Sequence, residues 1–508
     1  MAIAQNQHTA AAVEHTEENL RDFAGPSDVN PASAVRNEPE VPSPTSWNAK
    51  ERQRVKRHPP HIEGQDHGDQ NVDSVRLNLR LIALPTAIGL VNIFYYAGIV
   101  AVALVCTASL VMSSASARIR LSGAALILPA IGAVVALRPN ISGGITNAIF
   151  FVLACIAVPL TLVTSSSRPS AVVSLFDGIG LLLLAAVAFK AAGFGGTGAR
   201  GVIMGNIFTG GERAEFSLIG SVTMAPTIAA VYLVAVIPVI KNFGKHRGYR
   251  LIGAGIALYV LVQSDRRSPM FALILISLMI VLTPRLLRQF APWIVGILLI
   301  QPFLLKLFEP IVDRAAFSAF AQSLPFQRTA SSGAAADSVG PRLEIWSSAL
   351  DFYQDRVDWF HQAFGFGTFG QAKSGASMTY RHLFFGEPGS ATKTAHNSAL
   401  QTLFDAGWIG VAGFLFAVVW AARILSRRHS PADLALLAML VTLSFGGSTE
   451  ALLSPGYVRS TPWWILLAIT AIAFSEENPK VEQTTDRPKS AKLQYKLHSG
   501  TNTRSTAG

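Results

Sequence analysis

Apolar residues in this chain do not alternate with polar ones; they come in long runs. Between about residue 81 and residue 475, runs of 15 to 27 apolar positions recur, separated by short polar or glycine- and proline-bearing turns. Such runs have no strand period and no single polar face. They suit helices in lipid, where about 20 apolar residues cross the hydrocarbon layer. Twelve spans are predicted: 81–96, 97–114, 121–137, 144–163, 170–192, 216–240, 250–264, 268–284, 290–308, 396–422, 431–447 and 461–474. Those shorter than about 20 residues must tilt or borrow flanking positions. Residues 81–115 form one long apolar stretch, and Asn92 with Tyr95 and Tyr96 marks the best place for a turn that divides it.

Composition agrees with the pattern. Half of the 508 residues are hydrophobic, only 14% are charged, and mean hydropathy is +0.38. A soluble domain needs a more charged surface. Residues 1–74 and 476–508 differ sharply, being rich in His, Glu, Asn, Pro, Lys and Arg without apolar periodicity, so both ends read as disordered aqueous tails. The first apolar run starts too late for a cleavable signal peptide. The net charge of +11 does not point to nucleic acid. Its Lys and Arg residues sit in the tails and in short loops between apolar runs, as the positive-inside rule predicts. The segment Glu51 to His58, with Arg52, Arg54, Lys56 and Arg57, suits anionic lipid headgroups. Cys106 and Cys155 both fall inside apolar runs and read as small core residues.

Loop charge sets an orientation. With twelve spans and the N-terminus inside, the inner loops hold Arg118 and Arg120, Arg168, Lys241, Lys245, Arg247, Arg250, Arg285, Arg288, Arg427 and Arg428. The tail bearing Lys480, Arg487, Lys489 and Lys492 is also inside. An eleven-span layout with one long first helix and the same start would put Arg118 and Arg120 outside. The expected fold class is therefore all-α, a polytopic bundle of about 12 transmembrane helices with a large extracytoplasmic loop. The layout is a cytoplasmic tail at 1–78, nine helices over 79–308, the loop 309–395, three helices over 396–475 and a second cytoplasmic tail at 476–508. The expected location is the inner (plasma) membrane, with both termini cytoplasmic. The turn Ser264 to Arg267, the loop 309–395, His396 and the turn Glu450 to Arg459 all fall on the outer face.

That face carries a set of motifs. Pro341-Arg342-Leu343-Glu344-Ile345-Trp346 is followed by Phe364-Gly365-Phe366-Gly367-Thr368-Phe369-Gly370. Then come Ala395-His396-Asn397-Ser398 and Phe404-Asp405-Ala406-Gly407-Trp408-Ile409-Gly410. This order resembles the O-antigen ligase/polymerase superfamily: an Arg, a Trp four residues on, a Gly-x-Gly turn, Ala-His-Asn, and an acidic-x-Gly-x-x-Gly stretch opening a membrane helix. Ser264 to Pro269 resembles the family's Ser-Arg turn, with Arg267 best aligned and Arg266 standing where Ser is usual. The fold implied resembles that of GT-C-type membrane glycosyltransferases.

The resemblance implies that glycan passes from an undecaprenyl-diphosphate-linked donor to an acceptor hydroxyl on a glycan or lipid. The chemistry would be metal-independent and need no cofactor. The catalytic candidates are His396, Arg342 and Arg267. Guanidinium forks bind diphosphate oxygens, and an imidazole of ordinary pKa near 6.5 suits abstraction of a hydroxyl proton. Arg266, Asn397, Glu450 and Trp346 are candidate substrate-binding positions. Plainer readings stand beside these. Either arginine of the 266–267 pair could snorkel to headgroups. Arg342 could pair with Glu344, Trp346 could dock the loop, and Asn397 could cap a helix. Glu450 could orient His396 or simply lie at the surface. Asp177 and Asp405 sit within apolar runs, where a carboxylate is costly; Asp177 suits a kink beside Gly178 and Gly180, and Asp405 suits backbone freed near Gly407. The literal G-x-G-x-x-G at Gly365 to Gly370 reads as a tight turn, because a dinucleotide site needs a strand before it and a helix after it. The rival reading is a multi-pass secondary transporter using Asp177 and Asp405 for coupling.

Overall fold

A continuous apolar sequence has no partner for its backbone in lipid except itself, so each run closes its own hydrogen bonds as a helix. The computed structural model describes residues 79–113, 119–137, 144–165, 168–194, 214–220, 223–240, 247–308, 339–381, 394–456 and 460–477. The expected first tail up to residue 78, the second beyond Glu477, residues 309–338 and 382–393 of the expected loop, and Arg118, Lys241, Lys245 and Arg459 lie outside them.

Eleven helices follow the apolar runs among the described residues. They are α1 (Leu79–Ser113), α2 (Ile127–Leu137), α3 (Gly144–Ser165), α4 (Arg168–Phe189), α5 (Met224–Val239), α6 (Arg247–Ser264), α7 (Arg267–Leu282) and α8 (Pro284–Phe308), with α12 (Ser398–Arg427), α13 (Pro431–Thr449) and α14 (Thr461–Ala473) after the loop. Between them the loop folds as α9 (Val339–Arg356), α10 (Trp359–Phe364) and α11 (Gly370–Lys373). Four helical segments are long and apolar enough to cross a membrane by length and composition: Ala171–Phe194, α8, α12 and α13. Outward-facing Phe271, Ile274, Trp293, Ile297, Phe416 and Trp420 are exposed, an apolar exterior far larger than a water-soluble monomer shows.

Ten of the expected apolar stretches each hold a helix; the first two do not divide. α1 runs unbroken for 35 residues through Asn92, Tyr95 and Tyr96. Three isolated polar or aromatic residues cannot free a backbone whose only partners in lipid are its own carbonyls. At 1.5 Å per residue α1 is about 52 Å long. Gly89 packs on Leu182 and Leu218, near the segment where the Ala214 N–H donates to the Gln263 carbonyl at 2.9 Å. Farther along, the Cys106 carbonyl accepts from the Thr161 hydroxyl at 3.1 Å. Beyond Ser113, strand β1 (Ile119–Leu121) pairs antiparallel with strand β2 (Ser475–Glu477), Ile119 opposite Glu477. This small ladder is absent from the all-helical expectation. The two ends of α1 therefore lie at opposite ends of the bundle.

The remaining connections sort cleanly into two ends. At one, which we call the arginine end, Arg168 forms an ion pair with Asp433. There Arg288 donates to the carbonyls of Arg428, His429 and Ser430, and Arg428 reaches the Ser475 carbonyl at 3.3 Å. At the other, the histidine end, stand the Ser264–Arg267 turn, Arg342, His396 and Glu450. Between the ends, α13 packs against α5, α7, α8 and α12, and α1 against α3 and α4. Trp463, Trp464, Tyr232 and Phe414 fill the interior. Inside the bundle, Asp177 accepts from Arg250 Nε at 2.7 Å and from Nη2 at 2.9 Å, with the two side chains only 2% and 6% exposed.

Candidate active site

The histidine end is assembled by one backbone clasp. α12 is broken at Gly407, whose φ of 70° and ψ of −171° are not helical. Residues 408–427 beyond the break span about 30 Å, the thickness of the hydrocarbon layer. Gly365 has the same φ of 70° and meets the break backbone to backbone. A Cβ on Gly365 would sit 2.4 Å from the Ala406 nitrogen, and one on Gly407 would sit 2.3 Å from the Ala363 carbonyl carbon. Only glycine tolerates both the left-handed backbone and this approach. The Phe366 N–H donates to the Phe404 carbonyl at 2.7 Å and the Gly367 N–H to the Asp405 carbonyl at 2.9 Å. The G-x-G-x-x-G stretch is thus a turn, as expected, and its mate is the acidic-x-Gly motif.

Asp405 locks the clasp. Its Oδ1 accepts from the Gly370 N–H at 2.8 Å and Gln401 Nε2 at 3.0 Å, and its Oδ2 from the Ser454 hydroxyl at 2.7 Å. The carboxylate serves the clasp as a whole, reaching the glycine loop and the turn after α13, rather than backbone freed at Gly407 itself. Tyr353 of α9 lies within hydrogen-bond distance of the carbonyls of His361, Gln362 and Leu403, 2.9 to 3.2 Å away. Lys306 at the end of α8 pairs with Asp351 at 2.6 Å. α9 is therefore tied to both α8 and α12.

Onto this frame the candidate residues converge. Glu450, the residue that ends α13, bridges two side chains: Arg342 Nη2 lies 3.3 Å from its Oε1, and His396 Nδ1 lies 2.9 Å from its Oε2. All three side chains are 15 to 19% exposed. Burial alone would raise the Glu450 carboxyl. The charge and hydrogen bond of His396, then Arg342, then Arg266 more than offset this and hold it at about 2, against 4.5 ordinarily. Glu450 is fixed through its own backbone, since the Ser398 hydroxyl donates to its carbonyl at 2.9 Å and accepts from the Leu453 N–H at 3.0 Å. The Nε of Arg342 is buried and has no hydrogen-bond partner among the described residues. His396 has φ 49° and Asp265 φ 43°. Non-glycine residues in this region cost about 1–3 kcal/mol each and collect at functional sites.

The other candidates take more defined places. Arg266 is the member of its pair within electrostatic reach of Glu450, while Arg267 opens α7 with its side chain exposed. Trp346 is buried and donates its ring N–H to the Ala395 carbonyl at 2.9 Å, so it positions the residue next to His396 instead of presenting a face to substrate. Asn397 caps α12: its Oδ1 accepts from the N–H groups of Ala399 and Leu400 at 2.9 and 3.0 Å, and its Nδ2 donates to the Ser448 carbonyl at 3.2 Å. The plainer readings of Trp346 and Asn397 describe their contacts best. Arg342 pairs with Glu450, 108 positions away. Arg250, Ser454 and Gln401 carry no signature in the sequence that marks them as partners of Asp177 and Asp405. Among the described residues, no group of three His, Cys, Asp or Glu side chains comes together as a metal site would require.

No curated protein matches the chain. Residues 252–415, under half of the chain but holding the Arg266–Arg267 turn, Arg342, both halves of the glycine clasp and His396, match the family model described as O-antigen ligase.

Proposed function

We propose that the protein is a membrane glycosyltransferase of the O-antigen ligase/polymerase type, acting on the outer face of the inner membrane. It transfers glycan from an undecaprenyl-diphosphate-linked donor to an acceptor hydroxyl on a glycan or lipid. The observation that carries this reading is the arrangement at Glu450: one carboxylate holds Arg342 and His396 within 3.3 Å and feels the charge of Arg266. Arg342 and Arg266 bring permanent positive charge to this carboxylate whether or not the imidazole is protonated.

Each group then has a task. A carboxylate can only accept a hydrogen bond, so Nδ1 of His396 carries the proton in its bond to Glu450, and the neutral ring keeps its lone pair on Nε2. That lone pair takes the proton of the acceptor hydroxyl as its oxygen attacks the anomeric carbon. The bond between this carbon and the phosphate oxygen breaks, and the lipid diphosphate leaves with the electron pair. Arg342 and Arg266 meet the charge that develops on it, a preorganised electrostatic effect that lets the reaction proceed without a divalent metal. Glu450 is a positioning residue, since it fixes the imidazole's tautomer and aims one guanidinium. The lipid-linked donor enters sideways from the bilayer, and the segment 309–395 selects the acceptor.

Loop charge supports the orientation: Arg168, Arg288 and Arg428 gather at the end expected to face the cytoplasm, opposite His396. The transporter reading gains no observation in its favour, because both intramembrane carboxylates are committed, Asp177 to Arg250 and Asp405 to Gly370, Gln401 and Ser454. The test is a purified protein in liposomes with a lipid-diphosphate oligosaccharide, product length being read on a gel. Elongated or transferred glycan is expected from the wild type and none from His396→Ala. Equal product from both would end the reading.

A further inference from the structure

The arginine end holds a feature that glycan transfer does not use. A cavity of about 290 Å³ opens between α8 and α12, lined by Arg288, Pro292, Trp293, Val419, Arg423 and Arg427 among others. Three guanidinium groups face it and none of its lining residues is acidic. Arg288 is occupied with the carbonyls of Arg428, His429 and Ser430. Arg423 and Arg427 are exposed and have no acidic partner among the described residues. They stand four apart on one helix, where like charges repel unless an anion lies between them. Asp433, the carboxylate of this end, is held by Arg168.

The cavity's walls are apolar on the side that faces the middle of the bundle. Trp293 is 70% exposed, and the stripe of α12 that carries Arg423 and Arg427 continues through Trp420 to Phe416, whose rings stack at 5.7 Å. A cationic cavity whose apolar lining is Pro292, Trp293 and Val419, with exposed Trp420 and Phe416 farther along α12, has the polarity of one amphiphile: a phosphate at one end and an acyl chain at the other. We infer that this cleft binds an anionic phospholipid, its headgroup phosphate between Arg423 and Arg427 and its acyl chain along Trp293, Trp420 and Phe416. The inference is independent of the transfer reading.

Native mass spectrometry of the full chain in detergent tests it, with phosphatidylglycerol and phosphatidylcholine of identical acyl chains as probes. The wild type is expected to hold phosphatidylglycerol about tenfold more tightly, because the choline cation of the other probe repels the guanidinium groups that its phosphate attracts. Arg423→Gln with Arg427→Gln should abolish that preference, and Lys at both positions should restore it. Both side chains are exposed, so the fold tolerates the changes. Trp293→Ala should weaken both lipids alike. Excess inorganic phosphate should leave the adduct in place; displacement by it would make the cleft a free-anion site and overturn the lipid assignment. Equal retention of both lipids by the wild type, or an unchanged preference in the double Gln variant, would overturn it as well.

Discussion

Two of the ionic clusters in this bundle differ in how far their charges are sealed from solvent. Asp177 and Arg250 match one to one through two short contacts and are nearly sealed from solvent. Tyr249 adds its hydroxyl to the Asp177 carbonyl at 3.1 Å and Tyr232 to the Arg250 carbonyl at 3.2 Å. At Glu450 one carboxylate serves several cations, the side chains keep some exposure, and His396 is held in a left-handed backbone. The first is complete in that its charges are sealed from solvent, and we read it as structural. The second is incomplete in that its charges stay within reach of solvent, and we read it as the place where an anion docks.

The largest effect should come from unbalancing the complete cluster. Asp177→Ala leaves a buried guanidinium with no counter-charge, at a cost of about 3–5 kcal/mol, enough to remove most folded protein. Replacing both members, Asp177→Leu with Arg250→Met, should recover most of that loss, because a well-packed apolar pair avoids the desolvation penalty. Thermal unfolding in detergent checks this; a double variant as unstable as Asp177→Ala would give the pair a role beyond packing.

Next comes the incomplete cluster. His396→Ala should slow transfer about a thousandfold, roughly 4 kcal/mol of barrier, while the unfolding midpoint stays within a few degrees of wild type. That opposite pattern of activity and stability is what separates the two clusters. A His396→Ala protein that unfolds early would make the histidine structural instead.

The clasp connects the two kinds of residue. Gly407→Ala forces a Cβ to within 2.3 Å of the Ala363 carbonyl carbon at a φ of 70°. The expected loss is about 1–3 kcal/mol of stability, with a fall in activity because α10 and the backbone leading to His396 lose their anchor. Gly375→Ala is the control: its φ is also positive, at 87°, but nothing lies within 4 Å of its added Cβ. It should cost about 1 kcal/mol and leave activity intact.

What the sequence made legible follows the same division. Periodicity located ten apolar stretches that each hold a helix, because helix formation in lipid depends on composition within the run itself. It failed at α1, where a turn was read from Asn92, Tyr95 and Tyr96 although nothing there satisfies a broken backbone. Arg342 and His396 were visible through the resemblance to a known family, and Glu450 as a carboxylate at an outer helix end that could orient His396. The Arg342–Glu450 contact was not, since it joins positions 108 apart and Glu344 offered a nearer partner. The Asp177–Arg250 pair, 73 positions apart, left no local trace. Nor could sequence choose between Arg266 and Arg267. Adjacent side chains in a turn diverge, and which one faces inward depends on Asp265 at φ 43° and Arg266 at φ −109°.

That choice gives a smaller effect. Arg266→Gln should slow transfer by about ten- to a hundredfold, the scale of one electrostatic contact to developing charge, whereas Arg267→Gln should change it less than about threefold. The same rate assay decides it; the reverse order would mean that the exposed arginine swings inward when donor binds.

The smallest effect is in pH, and its sign follows from the lowered titration of Glu450. Glu450 titrates near 2 in the folded protein and near 4.5 ordinarily, so its contribution to stability is fully present above about pH 4.5. Below that, the unfolded chain takes up the proton first, and the contribution fades at up to about 1 kcal/mol per pH unit as the folded value is approached. The wild type's advantage over Glu450→Gln should therefore be constant from pH 7 to about 5 and shrink towards pH 3.5. Asp177→Asn, measured against the same wild type, tests whether such fading belongs to Glu450 or to acid unfolding in general. If the gap between wild type and Glu450→Gln stayed constant down to pH 3.5, Arg342, His396 and Arg266 would not be holding the charge of Glu450, and the electrostatic part of the proposed mechanism would fall with it.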